Sequence, residues 1–307
     1  MDEQFNFHSL FRGQTVAITD VCCRPGGGDC GAEEYSTATT IVFPRAGAFV
    51  RHVGRQRVVA NSNHILFFRA GETYRVSHPV AGGDDCTILA FETAVLADAV
   101  ARYDPSARDR AASPVGLTHG PCRAEFGLVL QRLRQRLRGD GVESLAVEEV
   151  AITLLDAVLD GAYGARGERP FERNLAAGRV QRERVEAAKS FVTGRFRSRL
   201  TLDEIARAVH YSPYHLARLF RREAGEPIHR YLNRLRLGAA LEQLADGAGD
   251  LTALGLDLGF SSHSHFSSTF RREFGISPST FRDALTAASL RELSKNLKAG
   301  PRPTRIR

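Results

Sequence analysis

Two stretches of the C-terminal third share one plan, and no other feature constrains the fold as tightly. The first is TLDEIARAVHYSPYHLARLFRRE, Thr201 to Glu223. The second is DLTALGLDLGFSSHSHFSSTFRRE, Asp250 to Glu273. In the first, Thr201 is placed to cap a helix, and Glu204 three residues on completes a capping box. Ile205, Ala206 and Val209 share one helical face. His210 and Tyr211 make a turn. Ser212 and Pro213 then open a second helix, with a hydroxyl cap and a proline at the first position. Leu216, Leu219 and Phe220 face back toward Ile205 and Val209. In the second stretch Asp250 stands for Thr201, Leu254 for Ile205, Gly255 for Ala206, Leu258 for Val209 and Gly259 for His210. The offset is 49 residues up to the turn and 50 from His265, Phe266 and Phe270 onward, so the second turn holds one extra residue. Caps, crossing residue, core positions and turn all correspond. The expectation is two helix-turn-helix units.

Residues 226–246, EPIHRYLNRLRLGAALEQLAD, join them. Ile228, Leu232, Leu235, Ala239 and Leu244 mark one continuous helix, roughly 30 Å long at 1.5 Å per residue. Successive major grooves on one face of B-DNA are about 34 Å apart. A rigid helix of this length suits a chain that sets two recognition helices into successive grooves.

Charge points the same way. Residues 1–178 hold 19 Lys/Arg and 22 Asp/Glu, a balance of −3, whereas residues 179–290 carry +5 and residues 291–307 another +5. A mildly acidic front and a basic back suit a back half that meets a polyanion. The chain has 307 residues, room for two domains. It has no apolar run long enough for a membrane span. Its opening, MDEQFNFHSLFRG, lacks the apolar core of a secretory leader. Five cysteines at irregular spacing suit free thiols in a reducing cytoplasm.

From residue 10 to about 92 the pattern is short β-strands. TVAITDV, TTIVFPRAGAFVRHV, RQRVVANSNHILFF and DDCTILAF read as strand segments, and RPGGGD, PRAG, RAGE and AGGDD as turns. This predicts an antiparallel barrel or sandwich. After Gly120 and Pro121 the pattern becomes helical. Phe126, Val129, Leu130, Leu133 and Leu137 mark one helix. A second, from Leu145 to Leu159, is apolar over more than one face. The expected organisation is a barrel domain over 1–120, a helical hairpin over 121–165 and a linker over 166–178. A tandem helix-turn-helix domain then covers 179–285, and a basic flexible tail 286–307.

LTLDEIARAVHYSPYHLARLFRREAG, RLRLGAALEQL and DLGFSSHSHFSSTFRREFGISPSTFR together resemble the AraC/XylS family of bacterial transcription regulators. The front half resembles the family's cupin-like regulatory domain. The resemblance implies a DNA-binding transcriptional regulator, an activator among its roles, with double-stranded DNA as partner. It also implies a small-molecule effector or dimerisation through the barrel domain, with RNA polymerase as a further partner. Base contacts would fall on Tyr214, His215, Ala217 and Arg218 in the first unit. In the second they would fall on His263, Ser264, Ser267 and Ser268. Arg218 is the strongest candidate, because arginine donates two bonds to guanine O6 and N7. The family often carries arginine where this chain has Ser268, and usually an acidic residue at Ala253. The first unit is therefore expected to supply most of the discrimination. Ser212, Arg221, Arg222, Ser262, Arg271 and Arg272 are candidate phosphate contacts, which add salt-dependent affinity without reading sequence.

Other chemistry is thinner. Cys22, Cys23 and Cys30 cluster without the paired spacing or companion histidine of a zinc site, and Cys86 and Cys122 read as packed residues. His52, His64 and His78 offer no His-x-His pair. No metal, cofactor or catalytic residue is expected. Two alternatives stand beside the main one: a regulator controlled by thiol oxidation or a protein partner, and a metal-dependent cupin enzyme.

Overall fold

A computed structural model of the chain describes residues 4–25, 31–110, 113–139, 142–167 and 175–284. Among the described residues, ten strands make two antiparallel sheets. The larger contains β1 (Gln4–Arg12), β2 (Val16–Arg24), β4 (Thr40–Gly47), β7 (His64–Phe68), β9 (Asp84–Phe91) and β10 (His119–Pro121), in the order β1-β2-β9-β4-β7-β10. The smaller contains β3 (Glu34–Tyr35), β5 (Phe49–Val53), β6 (Gln56–Ala60) and β8 (Thr73–Ser77), in the order β3-β8-β5-β6. Between them lie Val42, Phe49, Ala60, Leu66, Phe68 and Cys86, the interior of a cupin-like barrel.

The outer face of the larger sheet is also buried. Val16, Ile18, Ile41, Phe43, Ile65, Phe67 and Leu89 pack against α1 (Thr93–Ala101), α2 (Ala124–Leu137) and α3 (Ser144–Gly167). Strands covered on both sides lose the alternation of a half-exposed sheet, and all five residues of β7 are buried. The multi-faced apolarity of α3 is satisfied largely within the chain, through Val147, Val150, Leu154, Leu155, Val158 and Leu159. Leu145 and Ile152 stay at the surface.

Several expectations need correction. β1 was not anticipated; its edge position leaves Phe5 and Phe7 exposed, so it lacks a buried stripe. The PRAG segment is no turn but the end of β4, where the register against β9 slips between Pro44 and Ala46. RQRVVANSNHILFF holds two strands, β6 and β7. The Asn61 carboxamide oxygen accepts from the Asn63 amide at 3.1 Å and folds a turn between β6 and β7. α3 runs on to Gly167, and α4 (Leu175–Gly194) starts before residue 179, so both ends of the expected linker are helical. Residues 168–174, Cys30 and the expected tail beyond residue 284 lie outside the described residues.

The C-terminal domain consists of α4, α5 (Leu202–Ala208), α6 (Pro213–Ala224), α7 (Ile228–Ala245), α8 (Leu251–Asp257), α9 (His263–Phe274) and α10 (Pro278–Ala284). α7, about 27 Å long by its rise per residue, is shared by two cores. Its first half supplies Ile228, Tyr231, Leu232 and Leu235 to the core of the first unit. Its second half supplies Leu237, Ala240, Leu241 and Leu244 to the core of the second.

A third side of α7 docks on the barrel domain. Asn61 Nδ2 donates to Tyr231 Oη at 2.7 Å and to Thr193 Oγ1 of α4 at 2.9 Å. Asn63 Nδ2 donates to the Tyr231 carbonyl at 3.0 Å. Ser62 fits only because residue 238 is glycine: a Cβ there would sit 2.5 Å from Ser62 Oγ. One turn on, Glu242 accepts from Arg45 Nη1 at 2.6 Å and from Arg134 Nη1 at 3.4 Å. Arg134 also holds Asp20, with Nη2 to Oδ2 at 2.8 Å. Burial alone would raise the Asp20 carboxyl, but Arg134 and Arg45 hold it below its ordinary value. Burial keeps Glu242 above its ordinary value in spite of the same two arginines. Removing one member of such a network leaves a buried charge unmatched.

Candidate nucleic-acid interface

Both units form as the spacing predicts. Thr201 caps α5, with the reciprocal Glu204 bond of a capping box. Asp250 caps α8 through the amides of Thr252 and Ala253. Ser212 and Ser262 cap α6 and α9 by accepting from His215 N at 3.3 Å and His265 N at 3.1 Å. Each second helix ends at a glycine with positive φ, Gly225 at 77° and Gly275 at 76°, conformations that favour glycine. Phe220 and Phe270, the aromatic residues of the two FRRE words, are fully buried.

The tight turns differ. In the first, His210 takes φ 54°; in the second, Gly259 takes φ 87°. A Cβ at Gly259 would also stand 2.5 Å from the Arg197 carbonyl oxygen. Gly255, which the sequence alone marks as a weakness in a helix, has a packing reason. A Cβ there would approach Phe266 Cβ to 2.9 Å. In the first unit the crossing residue is Ala206, with Leu216 in the place of Phe266. The smaller crossing residue thus accompanies the larger partner.

The faces turned away from these cores carry the predicted contacts. Tyr214 is 65% exposed, and His215 and Arg218 are exposed beside it; Ala217 is half-buried. Arg218 Nη1 donates to Tyr214 Oη at 3.2 Å, and its guanidinium lies 5.6 Å from the Tyr214 ring centroid. The two residues, one helical turn apart, form an aromatic-backed cationic pair at the surface. His215 Nδ1 meets Ser212 Oγ at 2.9 Å.

On α9 the matching surface is bonded to itself. His263, Ser264 and Ser268 are exposed and Ser267 half-buried. Ser268 Oγ donates to the His265 carbonyl at 3.1 Å, and Ser267 Oγ lies 3.3 Å from His263 Nε2. Short side chains whose hydroxyls already bond their own helix reach less far into a groove than Arg218.

Arg221, Arg222, Arg271 and Arg272 are all exposed in the last turns of α6 and α9. Arg222 is engaged, with Nε on Glu223 Oε1 at 2.9 Å and a bond to Gln181. Glu273 does not serve its neighbouring arginines; it faces Arg234 of α7 at 3.6 Å. Arg271 and Arg272 have no hydrogen bond or ion pair among the described residues. Sequence reasoning did not identify the contact of α7 with the barrel. Its signals were Gly238 inside a helix and the Asn-Ser-Asn interruption of a strand pattern.

Residues 205–284 match the family described as "Helix-turn-helix domain". The transcriptional activator AarP of Providencia stuartii is 34% identical over 92 residues, which cover 30% of this chain and 68% of AarP. The regulatory protein PocR of Salmonella typhimurium is 26% identical over 106 residues, spanning 34% of this chain but only 35% of PocR. Among solved structures, an AraC-type DNA-binding regulator from Chromobacterium violaceum is 33% identical with a TM-score of 0.33, covering 37% of this chain and 99% of that one. The chain belongs to the AraC family of helix-turn-helix transcriptional regulators.

Proposed function

We propose that this regulator reads a two-part DNA site asymmetrically, with α6 as its main source of sequence discrimination and α9 chiefly positioning the protein. The observation that carries this is the contrast between the exposed Arg218–Tyr214 pair and the self-bonded serines of α9. Base edges would be met by Tyr214, His215, Ala217 and Arg218, and more weakly by His263, Ser264, Ser267 and Ser268. Arg221, Arg271 and Arg272, with Arg222 once it leaves Glu223, would hold phosphates. The capping hydroxyls of Ser212 and Ser262 would approach the backbone at the two helix starts. Through α7, about 27 Å long, one chain would span both half-sites.

A small effector would act where both domains meet. A cavity of about 550 Å³ lies between the barrel and α4, walled by Arg57, Val59, His119, Glu183, Glu186 and Lys189. A ligand there would touch the barrel and the first helix of the DNA-binding domain together. The Val59 amide already donates to Glu186 Oε2 at 2.7 Å across this boundary. Homodimerisation through the exposed rim of α3 at Leu145 and Ile152, contact with RNA polymerase and a cytoplasmic location complete the proposal. Among the described residues no helix is long and apolar enough to cross a membrane.

Genome-wide mapping of DNA bound by the purified full chain tests it. The expected result is enriched sites with two parts on one DNA face, only one of them strongly constrained. Uniform recovery of DNA without an enriched motif would refute sequence-specific regulation.

A further inference from the structure

Four side chains meet at one mouth of the barrel, Cys23 from β2 and three from residues 78–86. Cys23 is the penultimate residue of β2 and Asp84 begins β9, and the two residues stand directly opposite in the antiparallel register. Cys86 lies two residues beyond Asp84, so it shares the same inward face. His78 follows β8 of the other sheet and precedes Pro79. The Cys23 Sγ, a ring nitrogen of His78 and a carboxylate oxygen of Asp84 all lie within 4.8 Å of one another. His78 Nε2 is 2.7 Å from Asp84 Oδ1, and Cys86 Sγ donates to Asp84 Oδ2 at 3.0 Å. Cys23, Asp84 and Cys86 are buried, and the His78 side chain is only 7% exposed. Cys22 belongs to the opposite face of β2 and is not part of the group.

We propose that Cys23, His78, Asp84 and Cys86 bind one thiophilic divalent cation of the Zn²⁺ class. Two thiols, an imidazole and a carboxylate are the donor types that zinc takes in closed tetrahedral sites. Such sites need donors about 3.3–3.8 Å apart, given bonds of about 2.0–2.3 Å. Cys23, His78 and Asp84 are already near that size, and Cys86, placed beside Asp84 by its thiol bond, would complete the set by a side-chain rotation. Binding converts each thiol to a thiolate and releases its proton to solvent. Two thiolates and a carboxylate then outweigh the ion by one negative charge. Arg24, itself paired with Asp85 at 2.8 Å, lies beside this excess and donates to the carbonyls of Cys23 at 3.0 Å and Asp84 at 3.1 Å.

The surrounding backbone is fixed for the purpose. Gly83 has φ 73°, and a Cβ there would lie 1.9 Å from the Cys23 carbonyl oxygen. Gly47 has φ 69° and would meet the Gly83 carbonyl oxygen at 2.0 Å. The loop before β9 is therefore pressed onto β2 and β4, which holds Asp84 in place. The site also adjoins the domain contact. Cys86 pairs with Pro44, whose neighbour Arg45 holds Glu242 of α7. His78, Asp84 and Cys86 are close in sequence, but only the β2–β9 register adds Cys23 to them, which the spacing of histidines and cysteines does not reveal.

The test uses the full chain without a histidine tag, reduced and freed of metal by chelation, then titrated with Co²⁺ and Zn²⁺ salts. The expected result is uptake of one equivalent of Co²⁺, with a thiolate-to-cobalt charge-transfer band and the intense visible bands of four-coordination, both lost on adding Zn²⁺. Cys23→Ser and His78→Gln each lower affinity by more than the roughly 10–100-fold that loss of an outer-shell partner costs. Cys22→Ser leaves affinity unchanged. Circular dichroism of the metal-free variants shows whether they fold, and Cys86→Ala replaces any that does not. Absence of saturable uptake by the wild-type chain overturns the proposal. Uptake that survives Cys23→Ser, or that disappears in Cys22→Ser, overturns it equally.

Discussion

The two helix-turn-helix units are copies in scaffold and strangers in surface. Both use a polar cap before the first helix, a serine cap before the second, a buried phenylalanine in FRRE and a glycine with positive φ to finish. They part at the crossing and the turn, where Ala206 and His210 face Gly255 and Gly259, and on the outer face, where Arg218 faces Ser268. Core positions are constrained by packing, so duplication preserves them. The outer positions 218 and 268 carry no such packing constraint and differ between the units.

The largest effect that separates the copies is expected at the turn. Gly259→Ala forces a left-handed conformation on alanine and drives its Cβ toward the Arg197 carbonyl. A loss of about 2–4 kcal/mol is expected from strain plus overpacking. Amide hydrogen exchange of α8 and α9 would show it as lost protection. His210→Gly, at the same place in the first unit, removes strain and should leave protection of α5 and α6 unchanged or higher. Equal damage from the two substitutions would break the distinction between the turns.

Next come the faces proposed to read DNA. Arg218→Ala should remove about 1–3 kcal/mol of discrimination at one base pair, measured with matched and mismatched duplexes. Ser268→Ala should change nothing measurable in the same assay, because its hydroxyl bonds the His265 carbonyl. The caps should behave alike. Ser212→Ala and Ser262→Ala are each expected to cost about 1 kcal/mol of local stability, read by exchange of the first-turn amides of α6 and α9. A much larger cost in one would show that the scaffolds are less equivalent than their geometry. The smallest effect belongs to the FRRE arginines. Arg271→Ala should weaken binding to all sequences alike and flatten the slope of log affinity against log salt by about 0.9.

The helical domain was legible because its signals are local. Caps, apolar spacing and turn residues lie within four positions of one another, and α5, α6, α8 and α9 appear where those signals place them. Gly255 shows the limit even there. The sequence marks it as unfavourable in a helix, while Phe266, eleven residues away, makes it necessary. The barrel was legible in class but not in detail, because its features depend on pairing between distant strands. The slip at Pro44–Ala46, the Asn61–Asn63 turn and edge strand β1 all follow from partners that periodicity does not name. The same holds for the docking of α7. Tyr231 and Glu242 read as ordinary helical residues until the barrel supplies Asn61 and Arg45.

The asymmetry between the units is tested most directly by selecting bound duplexes from a random DNA pool with the wild-type full chain, Arg218→Ala and Ser268→Ala in parallel. The expected outcome is a wild-type motif with one strongly constrained half. That half should lose its preference at one or two positions in Arg218→Ala, and the whole motif should persist unchanged in Ser268→Ala. An Arg218→Ala motif identical to wild type, or loss of a half-site in Ser268→Ala, would contradict the account.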